Sequence, residues 1–345
     1  MNIYLFLLLH IENKNKIIME LLGPLKFLPL YKNKIWGGNK INTILHHDYS
    51  PLPNCGELWA ISGIPGNESV VAEGPLEGNT LNELIEIYMT DLVGDKVHEI
   101  FQNEFPLLIK FLDANDWLSI QVHPDDELAQ ARGLQSGKTE MWYIIQADLG
   151  AQLIKGFSQN TSQGEYLTNL KANTLPKILN YENVHEGDAF YIDAGKAHSI
   201  GPGILLTEIQ QAADITYRMY DWDRKDDEGN GRKLHIDEAM DAIDFKQEKG
   251  GKIDFHIHKN QSMPMVDEKY FTTNIIEIDQ PMEKNYDELD SFVIYIITKG
   301  SFILKSHQGN MDLGIGDTVL LPAITQKVEL HPLPSATLLE VFVKL

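Results

Sequence analysis

The chain is predicted to be mainly β, a barrel or sandwich of short strands. Three observations predict it. Short apolar runs such as AFYI and ILLTEIQQ are bounded by turns rich in Gly, Pro, Asn and Asp. Leu118, Ile120 and Val122 alternate with polar partners in LSIQVH, the period of a half-buried strand. Only two stretches carry helical periodicity, which is too little for a bundle or an alternating α/β chain.

The elements follow in order. Residues 3–9, IYLFLLL, are apolar, but a run this short does not span a bilayer. It has neither the preceding basic residues nor the small-residue cleavage site of a signal peptide. Met19 opens MELLGPLKFLPLYK, so residues 1–18 read as an extension upstream of the folded chain. PLYKNKIWGG and GELWAIS follow, with Trp36 and Trp59 expected in the core. Residues 80–104 form the first helical stretch, with Leu81, Leu84, Ile85 and Tyr88 on one face. Thr80 and Glu83 have the spacing of a capping box, and Gly94 divides the stretch in two. Residues 235–245 are the second helix, with Ile236, Ala239, Met240 and Ile243 on one face. The polar, glycine-containing KQEKGGKIDF places a domain boundary near Gly250, giving domains 19–249 and 250–345.

Four residues within strand-like segments stand out. Gln121 and His123 lie at i and i+2 and share a strand face. Glu140 opens another strand in KTEMWY, and His198 follows the turn Asp193-Ala194-Gly195 after the strand AFYI. Two imidazoles, one carboxylate and one amide oxygen suit zinc, with manganese or iron as alternatives. Such a set leaves a position open for substrate or water. The bland alternative is that each histidine is simply a hydrogen-bonded residue among the 12 of the chain. Beyond residue 250, Gly316-Asp317 to Pro322-Ala323 repeats the pattern of Gly187-Asp188 to Asp193-Ala194, but no histidine follows. The second copy is expected to keep a barrel and lack the metal.

Composition narrows the function. With 345 residues, 43% hydrophobic and 23% charged, the chain has material for two packed units. A single cysteine, Cys55, excludes an intramolecular disulfide framework and fits a cytoplasmic location. The net charge of −21 argues against nucleic acid or an anionic membrane as partner. An anionic substrate would therefore need local basic residues.

The segment Gly187 to His198 resembles the second half of a cupin motif. Together with QVHPDD, KTEMWY, TEIQQ and YRMYDWDR, the chain is similar to the type I mannose-6-phosphate isomerases, in their short bacterial form. The resemblance runs from about Pro29 to the C-terminus and weakens after about Gly250. Asp193 stands where the family's bend usually has proline, a change in backbone restraint and not in chemistry. The resemblance implies two cupin-type (jelly-roll) β-barrels with a small helical insertion. It implies one zinc per chain on Gln121, His123, Glu140 and His198, and a sugar phosphate substrate handled as monomer or homodimer.

The implied reaction moves a proton between C1 and C2 of an aldose and its ketose, through an enediolate whose charge the metal shares. Arg218 matches the family's active-site arginine and is assigned to that charge or to the phosphate. The bland alternative is a salt bridge to Asp221 or Asp223. Lys138 resembles a lysine placed at the substrate, for ring opening or for a hydroxyl. Glu208, in an apolar strand, is either a general base with a raised pKa or the partner that orients Arg218. Ser119 and Lys155, with Arg218, are the candidates for the phosphate. Two other readings compete: an Fe(II) cupin oxygenase, which would want two open metal positions, and a non-catalytic sugar-phosphate binder.

Overall fold

The strand Leu107–Ala114 is buried at every position. It lies between Glu57–Ile61 and Ile204–Gln211, so both its edges are paired and both its faces are covered. A run without alternation, LLIKFLDA, is what such a strand requires. The computed structural model describes residues 21–225 and 228–345, so the expected extension over 1–18 and the start at Met19 lie outside the described residues.

The chain divides into two compact units, one of 30–64 and 107–254, the other of residues up to Pro29, 65–106 and 255–345. In the first, two antiparallel sheets build a barrel. A six-stranded sheet runs Leu30–Lys32, Glu57–Ile61, Leu107–Ala114, Ile204–Gln211, Glu140–Ala147, Ala189–Ile192. A five-stranded sheet runs Tyr217–Tyr220, Ile120–Val122, His198–Ile200, Gln152–Phe157, Leu179–Asn183. Leu112, Trp142, Phe190 and Leu206 of the first sheet pack with Leu153 and Ile200 of the second in one core. The outer face of the five-stranded sheet is covered by the helices Gln163–Lys171 and Ile236–Ala242, which bury Tyr166, Leu170 and Ala239 against Ile120, Val122 and Phe157. The second of these is the helix expected at 235–245. The first was not expected, although Ser162 and Glu165 form a capping box that its sequence spells out.

The other unit is built on an eight-stranded sheet in which Val293–Ser306 lies between Thr318–Leu321 and Lys327–Phe342. Its core holds Phe302, Leu304, Leu321, Leu330 and Leu338. The helical insertion belongs to this unit, whereas the expected domain of 19–249 included it. Hydrogen bonding explains the difference. Ala323 and Ile324 donate backbone N–H to the carbonyls of Leu92 and Asp91, and the Asp290 carboxylate accepts from the backbone of Asp95 and Lys96. The insertion forms three short helices, Leu81–Tyr88, Thr90–Val93 and Asp95–Phe101, parted at Met89 and Gly94. The Thr80–Glu83 capping box forms with both reciprocal bonds. The boundary expected near Gly250 falls between Asp254 and Phe255.

The turns that open the two related hairpins are the same in detail. Gly187 and Gly316 both have φ 88. Asp188 accepts the N–H of His185 at 2.7 Å, and Asp317 accepts that of Gly314 at 2.8 Å. Both barrels therefore use one turn chemistry, an acidic side chain closing over a left-handed glycine. Cys55 is buried, its thiol is 3.2 Å from the Glu57 carbonyl, and burial pushes it up to about 11, as a packing residue and not a nucleophile.

Candidate active site

The register of the five-stranded sheet sets a row of side chains. Arg218 pairs with Gln121, Gln121 with His198, and His198 with Lys155. Residues directly opposite in an antiparallel pair share a face, so four residues from four strands line up across one sheet. His123 lies one residue past the strand Ile120–Val122, and Glu140 begins a strand of the other sheet. The imidazole Nε2 of His123 is 3.0 Å from Glu140 Oε1, and that of His198 is 3.8 Å from Glu140 Oε2. Gln121 Nε2 is 3.2 Å from His198 Nε2. Ligand atoms of His123, Glu140 and His198 lie within 4.8 Å of one another, and all three residues are buried.

The donor set fits a divalent ion. His198 Nδ1 donates to the Lys196 carbonyl at 2.8 Å, which leaves a lone pair on Nε2. That lone pair faces a carboxylate and the Gln121 amide, whose oxygen and nitrogen can exchange places. Burial, and then Lys138, holds His123 down at about 3, and burial lowers His198 as well, so both rings are neutral at pH 7. Burial works against ionisation of Glu140, but Lys138 and His123 outweigh it and hold the carboxyl well below its ordinary range. His123 Nδ1 is buried without a hydrogen-bond partner. Two neutral imidazoles, an amide and an ionised carboxylate converging in a buried site could hold a cation.

A cleft adjoins this cluster. Ser119, Gln121, Lys138, Glu208 and Arg218 line it, together with Lys34, Glu57, Lys110, Asp214 and Arg232. Lys138 and Gln121 connect cleft and cluster. Lys138 Nζ is 2.9 Å from Glu140 Oε1 and 3.3 Å from His123 Nε2, although the strand begins only at Glu140. Glu208 accepts from Lys110 Nζ at 2.9 Å, and the Trp142 indole N–H lies 3.1 Å from both Glu208 and Glu140. Burial, and then the Glu140 charge, raises the Glu208 pKa.

Two pairings bear on alternatives that the sequence left open. Glu208 is paired with Lys110 and does not orient Arg218. Asp221 is taken by Arg224 and Arg232, each at 2.5 Å, so the alternative in which it neutralises Arg218 does not hold. Among the described residues no carboxylate lies within salt-bridge distance of Arg218. Its NH1 donates to the Lys233 carbonyl at 2.9 Å, and its Nε is buried without a partner. Lys155 stands at the end of the row and does not line the cleft. It is held by the carbonyls of Gly250 and Gly251, 3.3 Å each, and lies 3.8 Å from Glu248. Trp36 and Trp59 are buried as expected, with Lys110 Nζ 5.3 Å above the Trp59 ring.

Lys34, Glu57, Lys110 and Arg232 were not picked out from the sequence. Lys110 had a signal, a charged residue inside the apolar run LLIKFL, which must find a partner if the strand is buried. Arg232 had none, because it is the Asp221 contact, made in the folded chain, that holds it there.

A His/Glu/His centre spanning the two sheets of a β-barrel, next to a cleft of ammonium, guanidinium and carboxylate groups, defines a cupin-fold protein with a site suited to a metal. Residues 25–149 match the family model of the phosphomannose isomerase type I catalytic domain. A mannose-6-phosphate isomerase of Streptococcus mutans is 42% identical over 220 residues, covering 64% of this chain and 67% of that one. YvyI of Bacillus subtilis is 35% identical over 305 residues, covering 87% of this chain and 93% of its own. The crystal structure of a mannose 6-phosphate isomerase from Bacillus subtilis matches with a TM-score of 0.83 at 32% identity, over 92% of this chain and 99% of that one. The chain belongs to the type I mannose-6-phosphate isomerase family, and with it to the isomerases.

Proposed function

We propose that the protein interconverts D-mannose 6-phosphate and D-fructose 6-phosphate, using one zinc ion held by Gln121, His123, Glu140 and His198. The observation that carries this reading is the meeting of these four residues from two sheets beside a cleft that also holds Lys138 and Arg218. When bound, a divalent ion supplies Lewis-acid polarisation of the sugar carbonyl.

The side chains divide the remaining work. Glu208 is the proton carrier between C1 and C2. Its raised pKa brings it toward neutrality, and its bonds to Lys110 and Trp142 hold it in one orientation. Arg218, which has no carboxylate partner among the described residues, takes the negative charge that develops on the enediolate oxygens or that the phosphate brings. Lys138 hydrogen-bonds a sugar hydroxyl or the ring oxygen and stays tied to Glu140. Ser119 and Arg232 serve the phosphate with Arg218, and Arg232 replaces Lys155 in that role because it lies in the cleft. These local cations create an attractive site for a dianion within a chain of net charge −21.

Among the described residues no helix is long and apolar enough to cross a membrane. We place the protein in the cytoplasm, as a monomer or homodimer acting on a small molecule.

The test is a coupled assay with mannose 6-phosphate before and after chelation, with zinc added back. Activity lost and then restored supports the reading. A folded, zinc-loaded protein with no turnover rejects it.

A further inference from the structure

The turn Gly195–Lys196 touches both histidines of the centre. Gly195 N–H donates to the His123 carbonyl at 2.9 Å, and the Lys196 carbonyl accepts from His198 Nδ1 at 2.8 Å. The second bond selects the tautomer of His198 that leaves Nε2 free to ligate, the usual task of a group behind a metal-binding imidazole. Gly195 has φ 88, and a Cβ there would come within 3.0 Å of the Ala242 carbonyl, so the turn is pressed closely against the end of the helix Ile236–Ala242.

That helix end also grips the turn through hydrogen bonds. Asp244 N–H donates to the Gly195 carbonyl at 2.8 Å, and Lys196 Nζ donates to Asp244 Oδ2 at 2.9 Å. The same ammonium is 3.5 Å from Glu248 Oε2. Lys196 thus carries two loads: its carbonyl orients a metal ligand, and its side chain is clamped by carboxylates from a segment about fifty residues further along. We infer that Asp244, acting through Lys196, is a positioning residue for His198 and tunes how tightly the centre holds its metal. The inference rests on the reading of His123, Glu140 and His198 as a zinc centre.

The Asp244 side chain is 33% exposed, so as a plain salt bridge the pair contributes little to stability. A positioning role and a merely structural one therefore predict different results. The experiment measures zinc affinity by competition with a chromophoric chelator at pH 7, for Asp244→Ala, Lys196→Met, the double variant and Lys196→Arg. The expected result is a loss of about tenfold in each single variant, the low end for groups behind a metal ligand. The double variant should lose no more than either single one, because both cut the same link. Lys196→Arg should recover most of the loss. Thermal unfolding in the presence of chelator checks that the variants remain folded. Single variants that bind zinc within about twofold of the wild type, or losses that simply multiply in the double variant, overturn the inference. A wild-type protein that binds no zinc overturns the metal reading beneath it.

Discussion

Lys110 Nζ lies 2.9 Å from Glu208 Oε1, and each side chain is only 5% exposed. The pair sits on neighbouring strands, where Glu208 and Lys110 are register partners. Removing one member of a buried pair strands the other as an uncompensated charge. Lys110→Met is expected to destabilise the protein by about 3–5 kcal/mol in denaturant unfolding. It should also move the activity profile. Lys110 lowers the Glu208 pKa against burial and the Glu140 charge, so without it Glu208 rises further. A base is lost as pH falls through its pKa, so the acidic limb of kcat/KM should shift to higher pH. An unmoved limb in the folded variant would remove Glu208 from the role of base.

Metal removal has its own pH signature. His123 is held at about 3 against an ordinary 6.5, mainly by burial. The folded apo-protein keeps this ring neutral, whereas the unfolded chain takes up a proton below 6.5. Its contribution to stability is therefore present above pH 6.5 and is lost as pH falls toward 3. Chelated protein should show a melting temperature that drops steadily over that window. At neutral pH, zinc at about a hundredfold over its Kd should add roughly 2.7 kcal/mol, and the gain should shrink in acid as protons compete with the metal. A zinc gain that is independent of pH would count against histidine ligation.

Asp113 behaves in the opposite sense. It is buried, and burial raises it from an ordinary 3.8 to about 6, although it accepts the Lys40 backbone N–H at 2.5 Å. A carboxyl raised on folding favours the folded state below pH 3.8, and that advantage is lost as pH rises through 6. Asp113→Asn keeps an acceptor for Lys40 and cannot ionise. Relative to the wild type it should gain on the order of 2–3 kcal/mol between pH 4 and pH 7. Parallel stability curves for the two proteins would show that the buried carboxyl does not titrate in this range.

Variants of Arg218 test whether handling of charge is separable from binding of a metal. Its guanidinium makes no contact with the His123, Glu140 and His198 cluster among the bonds described, and it donates instead to the Lys233 carbonyl. Arg218→Ala should reduce kcat/KM by about a hundredfold or more, as loss of a charge-stabilising group does, with zinc affinity unchanged. Arg218→Lys should recover only part of the activity, because an ammonium does not reproduce the planar fork of the guanidinium. Wild-type activity in the alanine variant would return the residue to a structural role.

By itself the sequence determined that this is a β protein of the cupin-type isomerase family. It also singled out Gln121, His123, Glu140 and His198, and predicted both helical stretches and the repeated glycine–aspartate turn. These features are local. Strand alternation, capping-box spacing and the preference of left-handed turns for glycine all act within a few residues, and a short segment records them. Tertiary structure alone decided which groups became partners. Lys110 meets Glu208 across 98 positions of sequence, and Lys196 meets Asp244 across 48. Asp221 turned to Arg224 and Arg232 in preference to Arg218, which left Arg218 open to the cleft. Lys155 shares a row with His198 yet is drawn off by Glu248 and two carbonyls. The helices over 81–101 joined the C-terminal unit because backbone N–H groups and a carboxylate there complete their hydrogen bonds. Each of these outcomes is a competition among buried charges and backbone groups for a limited number of partners. It is settled by distances that exist only once the sheets have closed.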